Sequence, residues 1–260
     1  MKCYLTGSEG FIGKNILEQL KYDFTAPPHE ELDLLDGQAV ADFFKDKHFD
    51  VIIHCANVGG RNPNEGEDIF YQNINMFDNL LKNKSHFDKL INLGSGAEYG
   101  KQEPIVNVDE DFERIPEDYY GMAKQVIGRT IEKINNGINL RCFGVWGKYE
   151  AEDRFITSLI KDKHVSVNNC KFSYCYIDDL VKIIDWFINN KSKHKTYNVG
   201  GIKIELKDIV KRFDKVVGIT EYGIDYTCND SRLRKELKFK YSDFNECLKK
   251  YQLELSVQAK

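Results

Sequence analysis

No apolar run in this chain is long enough to span a bilayer, so no membrane-crossing helix is expected. There is no Cys-x-x-Cys pair, and no two histidines share a helix face at ligand spacing, so no metal site is expected. The seven cysteines are odd in number and scattered. That pattern speaks against a disulfide framework and for reduced thiols in a cytosol. Positive charge is not in excess either: 37 Lys and Arg stand against 41 Asp and Glu, a net charge of −4. Nucleic acid and membrane surfaces are therefore poor candidates for the main partner. The chain opens directly on an apolar strand pattern, so no signal peptide is expected and the expected location is cytoplasmic. No internal repeat or low-complexity segment is present.

The composition that remains is ordinary for a soluble globular protein, with 42% hydrophobic and 30% charged residues. A length of 260 residues suits one large domain or a domain with a lobe. The most informative local feature is TGSEGFIG, where Gly7, Gly10 and Gly13 stand three residues apart. MKCYL before it reads as a buried strand. Ile12, Ile16, Leu17 and Leu20 after it recur at helical spacing. Between a strand and a helix the glycines have distinct uses: a tight turn, close approach to a pyrophosphate, and close helix–strand packing. A phosphate there would meet the unpaired N–H groups and dipole of a helix N-terminus. Gly7, Ser8, Glu9, Gly10, Phe11, Ile12 and Gly13 are accordingly candidate dinucleotide contacts.

Strand and helix patterns then alternate. Helices are predicted over Phe11 to Lys21, Gln38 to Lys47, Ile69 to Lys84 and Tyr119 to Asn135. Strands are predicted at DFTAP, FDVIIHCA, KLINLGS and INLRCFGVW. This rhythm predicts an α/β fold, a Rossmann-type doubly wound parallel sheet with helices on both faces. After Trp146 the rhythm breaks. Helices are predicted at Arg154 to Lys163, Asp179 to Asn190 and Leu206 to Val217, with an extended segment over Cys170 to Ile177, the strand YNVGG and a charged tail. The expected division is residues 1–146 plus 174–193 for the dinucleotide domain. Residues 147–173 plus 194–260 would form a smaller C-terminal substrate-binding lobe.

YYGMAK carries the candidate chemistry. Tyr120 and Lys124 are four apart on a predicted helix and so share a face. A phenol with a pKa of about 10 is a poor base at neutral pH. A nearby ammonium lowers that value and lets the pair exchange a proton with a hydroxyl or carbonyl. Tyr119 would point elsewhere. Ser95, in LGSGAEYG, follows a predicted strand at the carboxyl end, where open parallel sheets bind ligands. Ser95, Tyr120 and Lys124 form the candidate catalytic set.

Taken together these motifs resemble the extended short-chain dehydrogenase/reductase superfamily, and within it the NAD-dependent epimerase/dehydratase branch acting on nucleotide sugars. The resemblance runs over nearly the whole chain. It is carried by TGSEGFIG, VIIHCA, NINMFDNLL, LGSGAEYG, YGMAK, FGVWG, YIDDL and YNVGG. ELDLLDGQAVADFFKDKHFDVIIHCANVGG is most similar to the GDP-fucose synthase group. The resemblance implies Asp33 and Leu34 beside the adenine, with His54, Cys55, Ala56 and Asn57 along the cofactor. Lys124 and Tyr120 would also touch the cofactor, Lys124 at the ribose. It further implies a nucleotide-sugar substrate and a homodimer through the helices over 69–84 and 119–135.

Two departures bear on the reaction. The group's acid/base cysteine, two residues after the catalytic serine, is replaced by Ala97, and its histidine partner falls at Arg154. Alanine cannot titrate and arginine stays protonated, so double epimerisation is not expected and carbonyl reduction is. Basic residues that would hold a 2′-phosphate before ELDLLD are missing, yet no acid ends DFTAP. The cofactor is therefore NAD or NADP.

The reading with most support is NAD(P)H-dependent reduction of a 4-keto-6-deoxy nucleotide sugar. A 4-epimerase would use the same three residues. A 4,6-dehydratase would need Asp-Glu after the serine, where this chain has Gly96 and Ala97 and only Glu98 nearby. A non-catalytic dinucleotide-binding regulator on the same fold is the rival from outside enzymology. Gly96, Ala97, Arg154 and Arg232 are candidate substrate contacts. Arg232 and Arg234 could equally be a solvated helix face. Trp146, Cys142 and Cys175 read as core, and His54 reads as a satisfied strand-end histidine.

Overall fold

The computed structural model describes residues 1–60, 65–161, 166–213, 218–220 and 223–258. The chain opens with β1 (Lys2–Thr6), α1 (Phe11–Gln19), β2 (Asp23–Thr25), α2 (Gly37–Phe44), β3 (Phe49–His54) and α3 (Asp68–Lys82). It continues with β4 (Phe87–Ser95), β5 (Ile105–Val108), α4 (Tyr119–Ile131), β6 (Gly137–Cys142) and β7 (Val145–Trp146). Then come α5 (Phe155–Ile160), β8 (Ser166–Asn168), β9 (Lys171–Tyr176), α6 (Ile177–Asn189), β10 (Thr196–Val199) and β11 (Ile202–Glu205). The last elements are α7 (Leu206–Val210), β12 (Gly218–Thr220), β13 (Tyr226–Cys228), α8 (Ser231–Leu237) and α9 (Phe244–Gln258).

Six parallel strands form the main sheet in the order β10-β6-β4-β3-β1-β2. Successive strand residues face opposite sides, and the two cores divide accordingly. Cys3, Leu5, Val51 and Ile53 join the core built with Ile16 of α1 and with α6. Tyr4 and Ile52 join the other core, with Val40 and Phe44 of α2, Phe77 and Leu80 of α3, and Ile127 of α4. Both faces are covered, which is why β3 and β4 read as continuous apolar runs. Helix starts are set locally: Asp36 accepts N–H bonds from Gln38 and Ala39 ahead of α2, and Asp118 accepts one from Gly121 in α4.

The strand order reverses between β1 and β3, because β1 leads outward to β2 while β3 lies on its other side. That reversal opens a crevice at the carboxyl ends of these strands, where such sheets take ligands. At the carboxyl ends of β4 and β6 sits a second sheet, β11-β9-β13-β5, with β7 paired to β9. Among the described residues no helix is long and apolar enough to cross a membrane.

Several expectations need correction. INLRCFGVW is two strands, since Gly144 turns the chain into the left-handed region and lies so close to Ser173 that a Cβ would meet its carbonyl oxygen at 2.3 Å. β7 leaves the main sheet for β9 as a result. β10, expected in the small lobe, is the edge strand of the main sheet, paired in register with Asn139 to Cys142. β5 lies within the expected dinucleotide domain but pairs with β13 of the second sheet. α5 and α7 are shorter than predicted, and residues 162–163 and 214–217 of those predicted helices lie outside the described residues. The charged tail holds two helices, α8 and α9.

Candidate active site

The glycine turn separates into three roles. Gly7 has φ of +67°, and a Cβ on it would meet the Ala56 backbone nitrogen at 2.7 Å, so the turn is pressed against the end of β3. A Cβ on Gly13 would meet the Gly7 carbonyl oxygen at 2.1 Å, so α1 is pressed against the turn. Gly10 is the N-cap of α1 and its Cβ position touches only the Gly7 oxygen, at 3.2 Å. Gly10 is thus the glycine that leaves open space above the helix N-terminus, and it fits a pyrophosphate. Ser8 is buried and Glu9 exposed, with Phe11 and Ile12 partly buried against the core.

The other wall of the crevice is β3 and the loop after it. Thr6 Oγ1 accepts N–H bonds from Cys55 and Ala56, at 3.2 and 3.1 Å, and lies 2.8 Å from His54 Nδ1. With both oxygen lone pairs taken, the Thr6 hydroxyl hydrogen goes to Nδ1, which leaves the imidazole proton on Nε2. Burial pushes the His54 pKa down to about 3, with the Lys124 charge acting in the same direction. His54 is a neutral strand-end residue, as the sequence suggested. Asn73 of α3 then clamps the loop, accepting from Val58 N–H and donating to the Val58 carbonyl. That clamp places Asn57 and Gly60, and a Cβ on Gly60 would meet the Tyr120 ring at 2.8 Å. Asn79 does the same for the loop ahead of α2 by donating to the Leu34 carbonyl. Leu34 itself is buried in the core, and Asp33 accepts from Leu35 N–H.

The three candidate catalytic residues come together at the end of β4. Ser95 begins a 3-10 turn over Gly96–Tyr99, and its hydroxyl accepts from Ala97 N–H at 3.1 Å. The Ser95 side chain adjoins the Tyr120 hydroxyl. Lys124 is buried, lies 5.6 Å from the Tyr120 ring centroid, and donates to the Leu93 carbonyl at 3.1 Å. Tyr119 points outward and is exposed. The expectation that Lys124 depresses the Tyr120 pKa is not met here. Burial dominates and holds the phenol well above its ordinary value, with the adjoining Ser95 hydroxyl opposing. Burial also lowers the Lys124 pKa, while the Glu98 carboxylate pulls it back up.

Glu98 is not a free acid. Its carboxylate is sealed in, accepting from Ser95 N–H at 3.0 Å, Asn139 Nδ2 at 3.0 Å and Arg141 Nε at 2.7 Å. Gly96 and Ala97 are both buried, and Gly96 faces Tyr226 and Phe143 rather than the crevice. Arg154 is the N-cap of α5 and pairs with the buried Glu150 at 3.2 Å. Arg232 is committed to Glu110 at 3.4 Å, Asp111 at 3.1 Å and the Thr196 carbonyl at 3.3 Å. Among the described residues neither arginine is hydrogen-bonded or ion-paired to Ser95, Tyr120 or Lys124. Trp146 and Cys175 are core, and Cys142, opposite Ser95 in the β4–β6 ladder, is partly buried. Sequence reasoning missed Gly60 and Tyr226. The second of these brings its hydroxyl to Ser95 from β13.

Residues 3–200 match the family described as NAD dependent epimerase/dehydratase. The GDP-L-colitose synthase of Yersinia pseudotuberculosis is 29% identical over 256 residues, covering 84% of this chain and 82% of that protein. The GDP-L-fucose synthase of Escherichia coli is 32% identical over 109 residues, covering 38% of this chain and 34% of that protein. Among solved structures, a Campylobacter jejuni GDP-mannoheptose C4 reductase with NADP bound superposes with a TM-score of 0.82 at 21% identity, covering 95% of this chain and 96% of that one. A UDP-glucose 4-epimerase from Thermotoga maritima superposes at 0.86 with 18% identity over the whole of both chains. These two structural likenesses bear on the fold.

Two outcomes are expected. Gly10→Val should leave the fold intact and abolish measurable NAD(P)H binding, whereas Gly7→Val should fail to fold, since its side chain meets backbone. Fluorescence titration and thermal denaturation of the two variants check this, and a folded Gly10→Val protein of normal affinity would refute it. The second outcome follows from His54. Its folded pKa lies below the unfolded value of 6.5, so the unfolded state takes up the proton first and stability is lost as pH falls from about 6.5 towards 3. Between pH 7 and pH 5 this one residue should cost about 2 kcal/mol. Urea unfolding at both pH values should show that loss, and His54→Gln should remove most of it.

Proposed function

The chain belongs to the NAD dependent epimerase/dehydratase family, and from that premise we propose that it reduces the 4-keto group of a GDP-linked 6-deoxy sugar. The observation that carries the proposal is the meeting of Ser95, Tyr120 and Lys124 at the carboxyl end of β4, beside the Gly10 turn. The GDP part rests on the relatives, which include a GDP-L-colitose synthase and a GDP-L-fucose synthase. Bound NAD(P)H would supply the hydride that goes to the carbonyl carbon. Gly10 and the first turn of α1 would hold its pyrophosphate, and Lys124 its ribose.

Tyr120 donates its phenolic proton to the carbonyl oxygen as charge develops there. Its raised pKa keeps that proton in place at neutral pH before reaction. Ser95 donates a hydrogen bond to the same oxygen and so orients the carbonyl against Tyr120. The buried Lys124 supplies positive charge that favours the phenolate left behind. Ala97 and Arg154, at the positions where the GDP-fucose synthase group has its acid/base pair, add no second proton-transfer couple. Sealed under Ser95, Glu98 offers none for dehydration.

The homodimer also belongs to this proposal. α3 and α4 lie side by side, with Tyr71, Tyr119 and Val126 exposed on them. A second copy packed there would cover these side chains. Light scattering at micromolar concentration should give twice the chain mass, and a monomer would count against the interface.

The reaction is tested by NADPH and NADH absorbance with GDP-4-keto-6-deoxy-mannose. Cofactor consumption is expected. An epimerised product without net consumption would instead favour the 4-epimerase. Tyr120→Phe should keep fold and cofactor binding while turnover falls roughly 10²–10⁴-fold. Lys124→Met should lose turnover and cofactor affinity together, and Ser95→Ala should do less harm than either. Full turnover in Tyr120→Phe would remove the reductase reading.

A further inference from the structure

The second sheet contributes one hydroxyl to the site. Tyr226 begins β13 and pairs with Ile105 and Phe172 in the ladders on either side. Its ring packs on Phe143 at 4.6 Å and on Phe172 at 5.5 Å. These contacts aim the phenol across Gly96, where a Cβ would stand 2.3 Å from the Tyr226 oxygen. The absence of a side chain at Gly96 is what lets this phenol through. Beyond Gly96 it comes within reach of the Ser95 side chain, which also adjoins Tyr120.

The valence of Ser95 decides what this contact does. A serine hydroxyl has one hydrogen to donate and two lone pairs. Ala97 N–H occupies the first lone pair, at 3.1 Å. If Tyr226 donates to the second, the serine hydrogen is left with one direction, towards Tyr120 in the free protein and towards a carbonyl oxygen in the complex. Without Tyr226 the hydroxyl can rotate and offer a lone pair to the carbonyl, which is repulsive.

We propose that Tyr226 is a positioning residue that locks Ser95 as a hydrogen-bond donor to the substrate carbonyl. Burial holds the Tyr226 phenol well above its ordinary pKa, so it keeps the proton this role needs. The kinetic consequence rests on the reduction proposed above, while the Tyr226–Ser95 contact does not.

The test has two arms. In the kinetic arm, Tyr226→Phe retains the ring packing and should fold, as thermal denaturation will report. With GDP-4-keto-6-deoxy-mannose its kcat should fall about tenfold, with KM and NAD(P)H affinity within about twofold of wild type. The double variant Ser95→Ala/Tyr226→Phe should be no slower than Ser95→Ala alone, because Tyr226 acts through Ser95. A Tyr226→Phe enzyme with wild-type kcat overturns the proposal. So does a double variant whose losses multiply, since Tyr226 would then act on the substrate directly. The second arm needs neither substrate nor a Tyr226 variant. In protein labelled with tyrosine 13Cζ, Ser95→Ala should move the signals of both Tyr120 and Tyr226. Movement of Tyr120 alone overturns the contact. A wild-type enzyme silent on this substrate would sink the reductase reading, and the labelled-tyrosine arm would still decide whether Tyr226 engages Ser95.

Discussion

The buried ion pair between Glu98 and Arg141 holds the turn that carries Ser95 to the sheet. Glu98 sits three residues after Ser95 and accepts that residue's own N–H, so the serine backbone is fixed by the carboxylate. The same carboxylate meets Asn139 and Arg141 of β6, the neighbouring strand. Space for it is made by Gly94 and Gly128, where Cβ atoms would stand 2.3 and 2.5 Å from its oxygens. From Arg141 the network passes to the Tyr99 hydroxyl and the Glu110 carbonyl, and from Tyr99 to Asn198 on β10. Three strands of the main sheet and the turn carrying Ser95 therefore share one set of charges. Breaking a buried pair of this kind typically costs about 3–5 kcal/mol, against about 1 kcal/mol or less for an exposed one. By that measure Glu98 with Arg141 outweighs the exposed pairs such as Lys82 with Asp78.

The network also sets the electrostatics of the site. Lys124 is buried, and burial alone favours its neutral form. The Glu98 carboxylate does most to favour the ammonium. Tyr120 is governed by its own enclosure under Gly60 and beside Ser95, which is why the lysine does not set its titration in the free protein. The Tyr-x-x-x-Lys spacing correctly placed both residues on one helix face. Spacing carries no information about how much water the fold leaves around a phenol, and that quantity fixed the sign of the shift.

What the sequence made legible was local. A glycine turn between a strand and a helix, a strand end at Ser95 and a helix face at Tyr120 and Lys124 each follow from short-range rules of period and turn chemistry. What it hid was long-range. β5 and β13 are short strands whose pairing partners lie far away along the chain, and neither has an apolar run that announces it. Arg232 looked available because its partners, the Glu110–Asp111 pair, lie far away along the chain, whereas Glu150, four residues before Arg154, was a local signal passed over. Even the glycine turn was legible only in outline. Gly7 and Gly13 answer to close backbone approach, and Gly10 alone faces the open crevice.

The protonation states around Ser95 bear on which reaction the site can run. Reduction needs a proton donor beside the carbonyl, whereas oxidation of an alcohol or epimerisation next to a ketone needs a base there. Tyr120 and Tyr226 are both held as phenols by burial, and Cys142 is held as a thiol, its pKa pushed up to about 12. His54 has its one basic nitrogen occupied by the Thr6 hydroxyl. Glu98 is filled by N–H donors, and Lys124 donates to the Leu93 carbonyl. Each titratable group named here therefore either carries its proton or has its lone pairs spent. Such a set leaves Tyr120 protonated in the free protein, the state from which a reduction starts. The oxidative half of a 4-epimerase cycle would start instead from the phenolate, so a bound cofactor together with Lys124 would first have to bring the Tyr120 pKa down.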